Sequence, residues 1–139
     1  YPDGTKTALA SGFGPDFNPH FAPDGTLYVL HWSGLQAVDL QSGAKSALSW
    51  FAPFANGNDA VFDGQGRMYT FHPNEPIYRV DLKARTSRLY FNPRGNTSAM
   101  AVSPDGRLFL AYGSEIPGGE SAVYRVEEGD RLTEILRVP

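Results

Sequence analysis

One eight-residue segment occurs three times in the chain, and this repeat constrains the fold more than any other feature. The copies are Phe21–Tyr28, Phe62–Tyr69 and Val102–Phe109. The fifth position of each copy is a glycine, Gly25, Gly66 or Gly106, and these glycines are 41 and 40 residues apart. A period near forty residues, built on short strands, is typical of a β-propeller.

Each repeat predicts four short strands rich in apolar, aromatic and β-branched residues. The predicted strands are Pro19–Ala22, Thr26–Trp32, Leu35–Leu40 and Ala44–Phe51; then Ala60–Phe62, Arg67–His72, Ile77–Leu82 and Thr86–Phe91; then Ala99–Val102, Arg107–Tyr112, Ala122–Val126 and Arg131–Val138. Four antiparallel strands per period form one propeller blade. No segment has convincing helical periodicity. The alternative reading is a β-sandwich or an irregular barrel, but the threefold recurrence of one motif favours the propeller.

The predicted fold is all-β, with three four-stranded blades plus one extra N-terminal outer strand, Thr5–Ala10. We expect a single domain over residues 1–139. Residues 1–16 form the outer strand and lead-in, 17–53 blade 1, 54–94 blade 2 and 95–139 blade 3.

Three blades are fewer than the 4–8 of typical propellers, so the two end faces of the arc need a cover. Two explanations compete: the chain is a piece of a longer propeller, or it pairs with a second copy. We favour a homodimer that completes a six-bladed ring about a twofold axis.

Composition excludes several partners and chemistries. The net charge is −3, so we expect no nucleic acid partner. No apolar run is long enough to span a membrane, and no signal peptide is visible. Tyr1 is not an initiator methionine, which fits a mature form, a cleaved product or an excised segment. Cysteine is absent, which excludes thiol chemistry and leaves the compartment open.

The period, the four-strand plan and the Pro-Asp-Gly turn resemble the six-bladed propellers of the SMP-30/gluconolactonase, strictosidine-synthase-like and NHL repeat group. Asn58-Asp59 with the segment Asp63–Tyr69 looks like the Asn-Asp-Gly…Asp…Gly-Arg segment of SMP-30-type lactonases. The resemblance implies that Asn58 belongs to a metal and substrate site. Ala60 stands where that pattern has glycine, and no residue matches the metal-binding glutamate of that family.

Register predicts a functional site at one mouth of the channel, where inner strands begin and second strands end. Asn18 and Asp59 share one register position, and His31, His72 and Tyr112 share another. Histidine with carboxylate can hold a transition metal or act as an acid or base, whereas Asn and Asp oxygens alone suit Ca²⁺. The candidate catalytic residues are therefore Asp59, His31 and His72. The candidate ligands of a divalent metal such as Ca²⁺ are Asn18, Asn58 and Asp59.

Further candidates for ligand binding are Asn18, Asn58, Trp32, Tyr112 and Glu115, the last in an inserted loop at the same mouth. Each has a structural alternative. The histidines can bond a neighbouring blade, Asp59 can cap a loop amide and the aromatic rings can pack between blades. Arg67 and Arg107 recur by register, and we expect both at the solvent or at a blade edge.

Two functions follow from these patterns. The first is a propeller module for binding a ligand or partner and for self-assembly into a closed ring, without chemistry. The second is a metal-dependent hydrolase of the SMP-30/gluconolactonase type, acting on lactones or esters at the channel mouth. Specific retention of a metal ion by Asp59 separates the second from the first.

Overall fold

The computed structural model describes residue 4 and residues 6–13, 17–31, 34–51, 59–72, 75–93, 97–113, 121–127 and 131–138, and these residues contain strands and turns but no helix. The strands are β1 (Phe17–Phe21), β2 (Leu27–His31), β3 (Gly34–Val38), β4 (Lys45–Ala47), β5 (Asp59–Phe62), β6 (Arg67–Phe71), β7 (Ile77–Asp81), β8 (Thr86–Phe91), β9 (Thr97–Val102), β10 (Leu108–Tyr112), β11 (Ser121–Glu127) and β12 (Arg131–Val138). No stretch of the described chain forms an apolar helix of membrane-spanning length.

The strands form three separate four-stranded sheets, each with its strands in chain order. Every neighbouring pair within a sheet is antiparallel. Blade 1 is β1–β4, blade 2 is β5–β8 and blade 3 is β9–β12. The inner strands of successive blades touch, β1 with β5 and β5 with β9. The all-β, three-bladed partial propeller that the repeat predicts is confirmed.

The predicted strands are found with small shifts of their ends, except in the outer strand of blade 1. The sequence predicts a strand to Phe51, but β4 ends at Ala47. The chain turns at that point, because the Phe51 N–H donates to the Leu48 carbonyl. This turn carries the Phe51 ring into the core between blades 1 and 2.

The N-terminal segment, residues 6–13, is irregular rather than strand. Ala10 and Phe13 pack on an apolar cluster on one face of blade 1, formed by Leu27, Val29 and Val38. The ammonium group of Lys45 donates to the carbonyls of residues 11 and 12 at 2.6 and 3.3 Å. The segment is therefore held by side-chain packing and by the hydrogen bonds of Lys45, and not by a strand ladder.

Two apolar cores separate the three blades. The core between blades 1 and 2, which we call seam 1–2, contains Leu30, Leu35, Phe51, Ala60, Met68 and Val80. The core between blades 2 and 3, seam 2–3, contains Tyr69, Ile77, Phe91, Leu108, Leu110 and Val126. Both faces of blade 2 are therefore covered.

Blade 3 presents an open face on the side away from blade 2. Leu108, Leu110 and Val126 point into seam 2–3, so the alternating residues of β10 and β11 point the other way. Leu136 of β12 lies opposite Val123 of β11 and shares that face. The residues that define the open face are Phe109, Ala111, Val123 and Leu136, with the ion pair between Arg125 and Glu127 beside them.

The three repeated turns have the same backbone. In each, the residue after the inner strand donates to the carbonyl at the start of the next strand, at 2.9, 3.0 and 2.9 Å. The fifth-position glycine then donates back to that residue. Gly25, Gly66 and Gly106 have φ of 84°, 77° and 88°, which only glycine adopts without strain.

The turn of blade 2 carries a buried ion pair. The Asp63 side chain is 0 % exposed, and Arg67 Nε donates to its Oδ2 at 2.5 Å. The Asp63 Oδ1 accepts the N–H groups of Gln65 and Arg67, both at 2.9 Å. We call Asp63 and Arg67, with the adjoining Tyr69 ring, the turn lock.

The turn lock lies against the turn of blade 3. The Gly64 N–H donates to the Pro104 carbonyl at 3.1 Å. A Cβ added to Gly106 would lie 2.5 Å from Arg67 Nη2, so the guanidinium group covers this glycine. Arg67 is therefore a seam residue, and its side chain is only 24 % exposed. Of its two expected positions, the solvent and a blade edge, only the second is compatible with this contact.

Candidate functional site

The inner strands β1, β5 and β9 line a groove along the centre of the arc. A cavity of about 450 Å³ in this groove is lined by residues of all three strands, among them His20, Phe21, Val61, Met100 and Ala101. Phe21 is 63 % exposed, which is unusual for a phenylalanine. This central groove is the surface that faces the channel of a propeller.

A histidine and a carboxylate meet beside the central groove. His20 Nε2 of β1 lies 3.4 Å from Asp59 Oδ1 of β5, so the pair bridges blades 1 and 2. Burial lowers the pKa of His20, and the Asp59 charge opposes that shift only in part. The neutral imidazole is therefore favoured at pH 7, and in that form it can accept a proton.

The two register-equivalent residues of the predicted mouth differ in exposure. Asp59 begins β5 and is exposed, and its Oδ1 also accepts the Ala60 N–H at 2.8 Å. Asn18 lies in β1, half-buried, and pairs in register with Leu30. This hydrogen bond stays within β5 and does not cap a loop amide, so the role of Asp59 stays a prediction.

His31 lies on the opposite side of blade 1 from this pair. It ends β2 in alternation with Leu27 and Val29, which face the N-terminal segment. The residue is 5 % exposed, and both burial and the nearby Lys45 charge lower its pKa. The blade 1 sheet therefore separates His31 from Asp59.

His72 and Tyr112 occupy the corresponding strand ends of blades 2 and 3. His72 directly follows β6 and is half-buried. Tyr112 ends β10, packs against seam 2–3 and meets the Tyr124 ring edge-on at 5.4 Å between centroids. The Tyr112 ring thus packs within blade 3, and its role in ligand binding stays a prediction. The predicted site residues Trp32, Asn58 and Glu115 lie outside the described residues.

The described residues do not form a metal site. No group of three or more His, Asp or Glu side chains in this part of the chain is placed to hold an ion. Ca²⁺ takes six to eight oxygen ligands. Asp59 provides a single carboxylate at the groove, and it already faces a histidine. These residues alone do not fit a bound Ca²⁺.

The sequence patterns do not predict the position of His20 at the central groove or of Asp63 in the turn lock. The repeat does not single out His20, because Val61 and Ala101 occupy its register in the other blades. The available signal is its position two residues after Asn18, on the same face of β1. Asp63 lies within the repeat, but the equivalent positions of the other copies carry Ala22 and Ser103. The register therefore does not single it out.

Comparison with solved structures supports the fold. The chain is similar to a calcium-binding protein, regucalcin, from Agrobacterium tumefaciens, with a TM-score of 0.66 and 19 % identity over 98 % of this chain and 50 % of that one. It is also similar to a protein from Lactobacillus plantarum, with a TM-score of 0.56 and 17 % identity over 87 % of this chain and 40 % of the other.

The chain thus spans about half the length of the solved structures that it matches. No protein-family model matches it. No curated protein matches its sequence either. At these identities the likeness supports the fold alone and leaves the activity open.

Proposed function

We propose that the chain is a half-propeller that binds a second copy of itself through its open blade faces and closes a ring of six blades. In that ring, blade 3 of one copy packs against blade 1 of the other. The central groove of each copy becomes half of a closed channel. The ring then presents each channel residue twice, related by a twofold axis.

The observation that carries this proposal is the uncovered apolar face of blade 3. Phe109, Ala111 and Val123 project away from seam 2–3, and Leu136 beside them is 53 % exposed. Every residue of β12 is exposed, and Val138, two residues after Leu136, lies on the same open face. Contiguous exposed apolar surface of this kind marks an interaction site.

The half-length match to regucalcin is the second support. A propeller of that length has further blades beyond the part that matches this chain. A second copy supplies blades of the same construction, and so it is the partner whose shape best fits the open faces. The partly covered face of blade 1, where Ala10 and Phe13 lie, then joins the interface.

The test places one charge at the open face. Leu136→Lys puts an ammonium group opposite Val123 and is expected to convert the dimer to a monomer. Leu89→Lys is the matched control, because Leu89 is equally exposed, at 57 %, on the outer strand of the covered blade 2. Sedimentation equilibrium of both variants decides: a loss of dimer in both, or in neither, contradicts the assignment of the interface.

A second candidate function is a metal-dependent hydrolase acting on lactones or esters. The likeness to a protein described as calcium-binding favours it, together with the free Oδ2 side of the exposed Asp59 at the groove. In the proposed ring the ligands would come from Asn18, Asn58 and Asp59. Calcium titration by calorimetry tests it, with Asp59→Ala as the variant. Equal calcium binding and equal lactone hydrolysis in wild type and variant would contradict this function.

A further inference from the structure

At seam 2–3 the turn lock fills the space between the turns of the two blades. At seam 1–2 the corresponding space is an open cleft. Register places Ala22 where Asp63 stands and Thr26 where Arg67 stands. Pro23 replaces Gly64, and proline has no N–H to donate to the next blade. Without a carboxylate, a guanidinium group and this hydrogen bond, the two turns leave an open space.

This space is an open cleft of about 520 Å³, a volume within the range of small-ligand sites. We call it the turn cleft. Its lining includes Asp24 and Tyr28 from blade 1 and Gly64, Gly66 and Lys83 from blade 2. Gly66 is the counterpart of Gly106, which Arg67 covers at the other seam. A Cβ added to Gly66 meets no atom within 4 Å, so the same surface is bare here.

The groups that line the turn cleft suit a planar cation. Asp24 Oδ1 accepts the Thr26 N–H at 2.9 Å, and this hydrogen bond lowers the pKa of the carboxyl, so Asp24 is ionised at pH 7. Tyr28 is the counterpart of Tyr69, which adjoins the turn lock. Burial and the Asp24 charge raise the pKa of Tyr28, so its ring is neutral. Guanidinium groups bind carboxylates and stack on such rings.

Lys83 is the one cation among the described residues that line the turn cleft. No ion pair within 4 Å joins it to Asp24 in the described part of the chain. The cleft thus has a negative and a positive group that do not satisfy each other. An amino acid with its own carboxylate can engage both.

We propose that the turn cleft binds a guanidinium group, from free arginine or from an arginine residue, in the place that Arg67 takes at seam 2–3. Asp24 receives the guanidinium N–H groups, and the bare backbone at Gly66 lies beneath its plane. Lys83 favours a ligand that carries a free carboxylate. The site lies at the turn end of the blades, away from the channel mouth, and it does not depend on the proposed ring.

The experiment is a titration of the full chain with L-arginine, followed by backbone amide NMR. Because the ion pair is exposed, we expect a Kd on the order of millimolar. Shifts should concentrate at Tyr28, Gly64 and Gly66. L-citrulline, which has the same shape without the charge, should bind at least about tenfold more weakly, since a charge-assisted hydrogen bond is lost. Acetyl-arginine amide separates the two sources, because only free arginine carries the carboxylate that Lys83 favours.

Two variants complete the test. Asp24→Asn should weaken arginine binding about tenfold, as loss of a charge-assisted bond predicts. Asp105→Asn is the matched control, since Asp105 has the same register in blade 3 and does not line the cleft; it should leave binding unchanged. Thr26→Arg should fill the cleft from within and abolish binding. Equal binding of citrulline, equal binding by the Asp24 variant, shifts elsewhere in the chain or no binding at all would each overturn the proposal.

Discussion

Seam 1–2 and seam 2–3 join consecutive blades of one repeat, yet they close in different ways. At seam 2–3 the turn lock of Asp63 and Arg67 is buried, and the Gly64 N–H reaches the Pro104 carbonyl of the next blade. At seam 1–2 the same positions carry Ala22, Thr26 and Pro23, and the turn cleft remains. Both seams retain an apolar core of similar kind.

The difference shows which parts of a propeller seam are obligatory. The apolar core and the glycine turn occur at both seams, so they specify the blade and its packing. The polar contacts between turns are added at one seam and absent at the other. The polar contacts between turns can therefore differ from seam to seam. They stabilise seam 2–3, and their absence at seam 1–2 leaves a surface for binding.

Removal of the Asp63 carboxylate from the turn lock should have the largest effect on the free energy of unfolding. Asp63→Ala leaves the largely buried Arg67 without its counter-ion and removes the acceptor of two backbone N–H groups. We expect a loss of about 3 kcal/mol in the free energy of unfolding, as for other broken buried pairs. Urea denaturation measures it. Asp105→Ala removes an exposed carboxylate from the equivalent turn and should cost about 1 kcal/mol or less. Equal losses would contradict the lock.

The close contact between the turns of blades 2 and 3 gives the next effect. A Cβ at residue 64 would lie 2.5 Å from the Pro104 carbonyl oxygen, so Gly64→Ala forces the two turns apart. Such overpacking costs about 1–3 kcal/mol. Gly113→Ala is the control, because its added Cβ meets only Ser98 at an ordinary 3.5 Å. Thermal unfolding of both variants is the measurement, and a neutral Gly64→Ala would show that the contact is not tight.

Transplanting the lock to seam 1–2 sharpens the comparison. The double variant Ala22→Asp, Thr26→Arg builds the carboxylate and guanidinium of the turn lock into the turn of blade 1. We expect a gain of about 1 kcal/mol, since the net value of such a pair is small once its desolvation is counted. Each single variant should be neutral or destabilising. Additive effects of the two single variants in a double-mutant cycle would show that no lock forms.

Acidification should give the smallest of these effects on stability. It should destabilise blade 1 and leave seam 2–3 unchanged. His20 and His31 both have pKa values lowered by burial, so the folded state binds fewer protons than the unfolded state below about pH 6.5. Stability is then complete above that pH and falls as the pH drops toward the folded pKa values. One fully titrating group would change the free energy of unfolding by about 1.4 kcal/mol per pH unit. We expect a slope that is a fraction of this value.

Hydrogen exchange at pH 7 and pH 5.5 measures this loss by region. Protection of the Leu30 amide in blade 1 should fall relative to that of Leu110 in blade 3. Asp59 faces His20 and stabilises its protonated form, whereas Lys45 near His31 opposes protonation. His31→Leu should therefore flatten the pH dependence more than a change at His20. A uniform loss across both seams would argue against the assignment.

Local patterns predicted most of the fold. The three repeated turns depend on the conformational freedom of Gly25, Gly66 and Gly106, which is a property of these residues alone. The strands on either side of each turn follow from it. The N-terminal strand was wrong because residues 6–13 satisfy their contacts through Phe13 and Lys45 rather than through a ladder.

The site was harder to predict because it depends on neighbouring blades. Register places His31 and Asp59 at the same end of the blades, but alternation sends His31 to the outer side of blade 1. Arg67 lies in the seam because Asp63 accepts its hydrogen bond and Gly106 leaves room for its guanidinium group. Neither condition is visible in the segment that contains Arg67.

The mass of the unmodified chain in solution tests the central claim, a half-propeller that closes with a second copy. Light scattering after size exclusion at micromolar concentration gives this mass without reference to shape. The account predicts a folded dimer of twice the 15.2 kDa of one chain. A well-folded monomer that persists as the concentration rises would contradict it, since the open face of blade 3 would then be stable in water.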